Sequence, residues 1–164
     1  MLAAPAAWAQ PAASALPELP AEWAARGQAR MRFLGLRVYD IQLWAAQPVR
    51  SWAEQPHALA LTYARALKGR LIAERSLEEM RRQGPIDEAQ AARWLQAMTA
   101  AFPDVKEGDR LTGRHDPHQG ASFWFNGQPR PGVADPLFSR RFFGIWLSPQ
   151  TSEPALREQL LGQA

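Results

Sequence analysis

Hydrophobic and polar residues alternate in the first part of the chain, which is the pattern of β-strands with one buried face. Two short β-prone runs surround Gly35 between Ala29 and Trp44, and a further run covers residues 58–64. The apolar positions that share one face are Tyr39, Ile41 and Leu43 in the second run and Leu59, Leu61 and Tyr63 in the third. Because these runs are short and turn residues separate them, we expect the strands to pair antiparallel.

The middle of the chain has the spacing of three and four residues that is typical of amphipathic helices. Residues 71–83 carry apolar side chains among charges, and Gly84-Pro85 ends that helix. Asp87 is a suitable N-cap for a second helix, which Pro103 ends. The apolar stripe of this second helix consists of Ala91, Trp94, Leu95, Met98 and Phe102.

The last part of the chain returns to strands and then to helices. Residues 110–115 and 121–125 are β-prone, and Asn126-Gly127 is a strong signal for a two-residue hairpin turn. Asp135 can cap a helix that runs to Trp146, and Ser152 can cap a last helix. This order of elements predicts an α+β fold with a layer of helices on one face of an antiparallel sheet.

Length and composition restrict the class of protein. A chain of 164 residues fits one domain, which we place at residues 16–164. The absence of cysteine excludes disulfides, thiolate metal sites and cysteine nucleophiles. The net charge is +3, but the basic residues are scattered, so we expect no nucleic-acid partner. No stretch approaches the roughly 20 apolar residues of a membrane span. No Gly-rich phosphate loop or nucleophile elbow occurs, and the sequence predicts no cofactor.

The first 15 residues are uncharged and rich in alanine. Ala7-Trp8-Ala9 and Ala13-Ser14-Ala15 both have the small-x-small form of a signal-peptidase site. We interpret residues 1–15 as the remnant of a signal peptide or as a disordered tail. On this basis we predict export to a bacterial periplasm.

Three stretches of the chain carry a family resemblance in their order and sequence. They are GQARMRFLGLRVYDIQLW at 27–44, FPDVKEGDRLTG at 102–113 with FWFNG at 123–127, and FFGIWLSPQTSEPALREQLLG at 142–162. Together they resemble the bacterial chalcone isomerase-like family. The resemblance covers residues 27–162 and implies the chalcone isomerase fold, an open-faced sandwich of a large antiparallel sheet and a layer of helices.

The resemblance leaves three functions open, because a fold alone does not choose among them. In the plant enzymes of this fold, an arginine and hydroxyl groups stabilise the enolate that forms as a chalcone closes to a flavanone. Other relatives bind fatty acids, and some bacterial relatives have been linked to haem. We favour a non-catalytic binder of an apolar or amphipathic small molecule. The alternatives are an isomerase of the intramolecular lyase type and a haem-binding protein with Tyr39 or a histidine as axial ligand.

The resemblance also suggests positions for a site. Met31 falls where relatives carry the working arginine, and by strand alternation Arg30 and Arg32 point to the other face. A β-bulge could turn either arginine inward, where it would contact an anion. Tyr39 matches the position at which the family places a hydroxyl. The other residues that we expect to line an apolar ligand cleft between sheet and helices are Tyr63, Trp94, Met98 and Phe142.

The three histidines do not predict a metal site. His115 and His118 have a metal-like spacing, but Pro117 between them and the lack of a third ligand favour an exposed loop. His57 follows a proline ahead of a strand, and we expect it on the surface.

Overall fold

Six antiparallel strands lie side by side in chain order in the computed structural model of the protein, which describes residues 15–162. They are β1 (Ala24–Phe33), β2 (Leu36–Ala45), β3 (His57–Tyr63), β4 (Arg110–Asp116), β5 (Gly120–Phe125) and β6 (Gln128–Val133). Each strand pairs with the next one along the chain. Apart from Ala15, the segment that carries the export prediction lies outside the described residues.

The predicted alternation places the apolar side chains of β2 and β3 on one face of the sheet. In the observed register the pairs across the two strands are Tyr39 with Tyr63, Ile41 with Leu61 and Leu43 with Leu59. All of these side chains are buried except Tyr39, which is half-buried. The period of two in the sequence therefore identifies the buried face correctly.

Helices pack against the sheet, which confirms the predicted fold class. Within residues 15–162 they are α1 (Gly69–Arg81), α2 (Glu88–Ala101), α3 (Pro136–Leu147) and α4 (Pro154–Leu160). Helix α3 contacts β4 and β5, α4 contacts β1, and α1 packs on α2 and α3. None of these helices is long and apolar enough to cross a bilayer.

Side-chain caps begin two of the helices, as the sequence predicts. The Asp87 carboxylate accepts from the backbone N–H of Gln90 at 2.8 Å at the start of α2. The Asp135 carboxylate accepts from two N–H groups at the start of α3. The prediction for Ser152 is wrong, because α4 begins after Glu153 and has no side-chain cap.

The segment 16–23 packs on the opposite face of the sheet. Leu16, Leu19 and Trp23 form a small apolar cluster there with Trp44, Ala58 and Ala60. Arg110 on β4 donates two hydrogen bonds to the Glu18 carboxylate, at 3.1 and 3.0 Å, and the Thr112 hydroxyl donates a third at 2.7 Å. Burial alone would raise the pKa of Glu18, but these hydrogen bonds lower it below its usual value. The segment is thus fixed to the sheet by an ion pair as well as by apolar contacts.

The surface prediction for His57 and the loop prediction for His115 are wrong, because both side chains are buried in the core. The two residues pair across β3 and β4, with ring centroids 4.9 Å apart. Nε2 of His115 lies 2.9 Å from the Ala53 carbonyl, which can only accept, so Nε2 carries the proton. Nδ1 of His115 then accepts from the Ser139 hydroxyl. Within the described residues no cluster of three or more metal-ligating side chains occurs.

Two hairpins use the same two-residue turn. Leu34 and Gly35 join β1 to β2 with φ of 51° and 79°, and Asn126 and Gly127 join β5 to β6 with φ of 49° and 81°. Positive φ at both central residues is the type I′ turn that matches the twist of paired strands. The sequence predicts the second turn but not strand β6 after it, since prolines at 129 and 131 weaken a strand pattern.

Candidate functional site

A cavity of about 410 Å³ lies between the sheet and the helix layer. Its wall is predominantly apolar. The sheet side includes Leu59, Leu61 and Phe123, and the helix side includes Ile72, Phe142 and Ile145. Sites for small molecules typically measure about 300–1,000 Å³ and are mostly apolar with a few polar groups. The size and the wall of this cavity both match such a site.

The mouth of the cavity lies where wall residues are also exposed to solvent. Phe33 at the end of β1 and Leu71 in α1 both line the cavity and are at least half exposed. Arg65, two residues beyond the end of β3, also lines the cavity and is exposed. The cavity therefore opens between the β1–β2 hairpin, the end of β3 and the first turn of α1.

Two tyrosine hydroxyls supply hydrogen-bond donors in this apolar space. The rings of Tyr39 and Tyr63 meet edge to face with centroids 5.8 Å apart. Nε1 of Trp146 donates to the Tyr39 hydroxyl oxygen at 2.8 Å, which leaves the Tyr39 O–H free to donate. Burial raises the pKa of Tyr39 to about 12 and raises the pKa of Tyr63 as well. Both hydroxyls are therefore protonated at neutral pH and can donate to a carbonyl or carboxylate.

Arg65 is a cation at the mouth that no carboxylate neutralises among residues 15–162. Arg75, which also lines the cavity, differs in this respect. Its guanidinium lies 3.0 Å from the Glu79 carboxylate and 3.5 Å from that of Glu78. The guanidinium of Arg65 is consequently the one available for an anionic group of a ligand.

Four of the six residues that the sequence predicts for the ligand cleft line this cavity: Met31, Tyr39, Tyr63 and Phe142. The other two, Trp94 and Met98, are buried elsewhere in the core. The Trp94 ring packs edge to face on Phe138, and its Nε1 donates to the Asp135 carboxylate at 3.0 Å. Trp94 thus faces α3, and of the stripe on α2 only Phe102, at the end of the helix, lines the cavity.

The register of β1 directs Met31 to the cavity and both neighbouring arginines away from it. Met31 lies opposite Tyr39, and Arg30 lies opposite Asp40. Nε of Arg30 donates to the Asp40 carboxylate at 2.8 Å, and both side chains are nearly half exposed. The pairing register does shift between Met31 and Arg32, but Arg32 stays exposed and is absent from the cavity wall.

A second cleft, of about 400 Å³, is polar. The arginines that line it are Arg50, Arg140, Arg141 and Arg157. Arg141 donates to the Gly84 carbonyl and Arg157 to the Leu147 carbonyl, each at 2.8 Å. Basic residues that are scattered along the sequence meet here. A wall of this kind does not suit an apolar ligand, so the first cavity is the candidate site for one.

Arg65 at the mouth and Trp146 on α3 line the cavity, and the sequence predictions missed both. Arg65 has a signal in the sequence, because it lies two and four residues beyond Tyr63 and Leu61 and continues their period of two. Trp146 has none, since a tryptophan in an apolar helix is equally suited to core packing. Its hydrogen bond to Tyr39 joins residues 107 positions apart and depends on the tertiary fold.

Similarities to known proteins agree with this architecture. An uncharacterized protein of Haemophilus influenzae is 29% identical over 143 residues, which is 87% of this chain and 70% of that protein. The crystal structure of a fatty-acid binding protein of Arabidopsis thaliana has a TM-score of 0.67 and 14% identity, over 87% of this chain and 88% of the other. The profile of the family described as chalcone isomerase-like matches residues 29–162. Since that match spans most of the sheet and every helix described above, the chain belongs to the chalcone isomerase-like family.

Proposed function

We propose that this protein is a non-catalytic carrier of an amphipathic small molecule, with a long-chain fatty acid as the ligand class. The observation that carries the proposal is the composition of the cavity. An apolar wall encloses two protonated hydroxyls, and an unneutralised guanidinium lies at the mouth. A hydrocarbon chain with one acidic end matches each of these parts.

Two contacts would hold such a ligand. The hydrocarbon chain would fill the space among Leu59, Phe123 and Phe142, where removal of apolar surface from water stabilises the complex. The carboxylate would accept from the Tyr63 hydroxyl, which makes no hydrogen bond within the described residues, and would meet the Arg65 guanidinium. Charge-assisted hydrogen bonds of this kind are stronger than neutral ones.

The similar fold of the Arabidopsis protein supports this class of ligand, because that protein is named for binding fatty acids. The two chains are only 14% identical, so the main support for this ligand class is the cavity of this chain.

The exchange of Arg65→Gln should weaken binding of hexadecanoic acid about threefold to fivefold, since an exposed ion pair contributes up to about 1 kcal/mol. Binding of hexadecanol should change little, because the alcohol fills the same space without the charge. Displacement of a fluorescent fatty acid from the cavity measures both affinities. The matched control is Arg93→Gln on the exposed side of α2, which makes the same charge change away from the cavity wall.

Two results of this experiment would contradict the proposal. One is that neither hexadecanoic acid nor hexadecanol displaces the fluorescent fatty acid from the wild-type protein. The other is an equal loss of acid and alcohol binding in Arg65→Gln, since that would indicate a disturbed fold and not a lost charge. Equal effects of the Arg65 and Arg93 exchanges on acid binding would instead indicate that net charge alone determines the affinity.

The isomerase alternative lacks a cation at the position where the family has one. Negative charge builds on the carbonyl oxygen as a chalcone cyclises, and removal of one preorganised donor typically costs about 10²–10³ in rate. The family resemblance assigns that position to Met31, which lines the cavity, and a thioether donates no hydrogen bond. We therefore expect no turnover of a hydroxychalcone above the uncatalysed rate in a spectrophotometric assay. Saturable, stereoselective product formation would overturn the non-catalytic proposal.

The haem alternative has less support from the placement of the histidines. The cavity wall includes none of His57, His115 and His118, and the Tyr39 hydroxyl already accepts from Trp146. The absorbance of protein purified from its host checks this alternative, because bound haem has a strong Soret band.

We also propose that the protein acts in the periplasm. The support is the uncharged, alanine-rich start with its two small-x-small sites. N-terminal sequencing of the protein from a periplasmic fraction should find a start after Ala9 or Ala15, whereas an intact Met1 in the cytoplasm would contradict export.

A further inference from the structure

The tip of the β1–β2 hairpin exposes apolar side chains that lie outside the hydrophobic core. Phe33, Leu34 and Leu36 are 57%, 86% and 55% exposed, and Leu71, which lines the cavity mouth with Phe33, is 50% exposed. Only one other large hydrophobic side chain in the described part of the chain is comparably exposed, Leu137 on α3. Single exposed apolar residues are ordinary, but a concentration of them at one site indicates an interaction surface.

The turn at this tip contains a residue that the local backbone does not favour. Both type I′ turns of the sheet need positive φ at their first central residue. The β5–β6 turn uses Asn126 there, and asparagine tolerates this conformation well. The β1–β2 turn uses Leu34 at φ of 51°, where a leucine side chain is disfavoured. An exposed leucine in a disfavoured conformation contributes little to stability, which is the pattern expected of a side chain retained for an interaction.

The hairpin also has an excess of positive charge. Between residues 30 and 40 it has Arg30, Arg32 and Arg37 against a single carboxylate, Asp40. Asp40 contacts Arg30 at 2.8 Å and Arg37 at 3.1 Å, and Arg32 has no ion pair among residues 15–162. Arg65 adds a further unneutralised guanidinium at the mouth. Exposed apolar side chains that are flanked by cations are complementary to a partner that has anionic groups on its surface and an apolar interior.

We propose that the hairpin tip docks on the surface of an anionic lipid bilayer, with the cavity mouth facing the membrane. Phe33, Leu34 and Leu36 would enter the interfacial region, and the arginines would contact lipid phosphates. This goes beyond the proposed function, because it assigns a partner to the hairpin and a route for the ligand. A lipid tail could then pass between bilayer and cavity along Phe33 and Leu71 without crossing water.

Vesicle sedimentation of the whole protein tests this docking. We expect the wild type to bind vesicles of mixed phosphatidylglycerol and phosphatidylcholine, to bind pure phosphatidylcholine vesicles less, and to lose affinity as salt increases. Leu34→Asn places at the tip the residue that the other hairpin uses, so the turn is retained while the apolar side chain is lost. That variant should bind the anionic vesicles about tenfold more weakly. Leu137→Asn is the matched control and should bind like the wild type.

Several outcomes would overturn the docking proposal. In one, the wild type binds neither kind of vesicle. In another, the Leu34→Asn and Leu137→Asn variants lose vesicle binding to the same extent. A wild type that sediments as a dimer in the ultracentrifuge, with a monomeric Leu34→Asn variant, would assign the tip to a second copy of the chain. Fatty-acid displacement in the absence of vesicles is a separate measurement, so the carrier proposal can stand or fail independently.

Discussion

Trp94→Ala is expected to lower the free energy of unfolding by about 3–5 kcal/mol, which is typical for removal of a buried tryptophan. The Trp94 ring is almost completely buried and packs edge to face on Phe138, 5.7 Å between centroids. Its loss leaves a cavity between α2 and α3 that the two helices cannot fill without moving. The midpoint of urea denaturation measures the change. An unchanged m-value would show that the surface area exposed on unfolding is the same in the variant as in the wild type.

A second variant separates the packing of Trp94 from its hydrogen bond. Trp94→Phe retains an aromatic ring against Phe138 but loses the N–H that donates to Asp135. We expect a clearly smaller loss than for alanine, because Asp135 keeps its two hydrogen bonds to the start of α3. A wild-type midpoint for Trp94→Ala would show that this face of α2 is not packed against α3.

Acidification from pH 7 to pH 5 is expected to destabilise the protein by about 2 kcal/mol through His57 alone. Burial lowers the pKa of the folded-state imidazole from 6.5 to about 3, with the nearby His115 as a smaller cause. Between these values the unfolded chain binds a proton that the folded chain does not. Stability is therefore complete above pH 6.5 and falls as the pH is lowered toward 3.

The geometry around His57 explains why a second proton on its imidazole ring is unfavourable in the folded state. Nδ1 lies 3.0 Å from the Gln55 carbonyl, while Nε2 is buried without a hydrogen-bond partner among the described residues. Protonation would place a charge on a buried ring whose centroid lies 5.3 Å from that of the Phe143 ring. His115, whose pKa burial also lowers, contributes in the same direction.

Urea denaturation at a series of pH values measures this dependence. His57→Phe retains an aromatic ring at this position and removes the titrating group, so its stability should depend less on pH between 7 and 5. The measurement stays above the range of the carboxylates whose pKa values are lowered, such as Glu18 and Asp109. A wild type whose stability is constant across this range, or a variant with the same slope, would contradict the assignment.

Local patterns predicted most of the fold, because they depend on neighbouring residues. The alternation through Tyr39 and Ile41 identified the buried face, and Asp87 and Asp135 identified the starts of two helices. The same period places His57 two residues before Leu59, on the buried face, whereas its place directly after Pro56 and ahead of the strand favoured the surface. The neutral form of a histidine packs in a core when one ring nitrogen donates to a carbonyl, as in both buried histidines here.

The cavity was harder to predict, because an apolar residue on a buried face can contact either another side chain or an open space. Met98 and Phe142 have the same character in the sequence, yet only Phe142 lies on the cavity wall. Which of them faces the cavity depends on how far α1 and α3 stand from the sheet, and no short-range pattern contains that distance. No sequence pattern predicted the exposure of Phe33 and Leu34 either, since that exposure is a property of the tertiary fold.

The prolines of β6 have a consequence for the behaviour of the protein at high concentration. In a two-residue hairpin the residues that flank the turn, here Phe125 and Gln128, bond to each other, so the nitrogen of residue 129 points away from β5, while residue 131 lies where the pairing register shifts. Both positions are proline and offer no N–H to an incoming strand. Aggregation by addition of strands in register needs those donors. Addition of a strand at β6 is therefore disfavoured, while the apolar hairpin is at the opposite edge of the sheet.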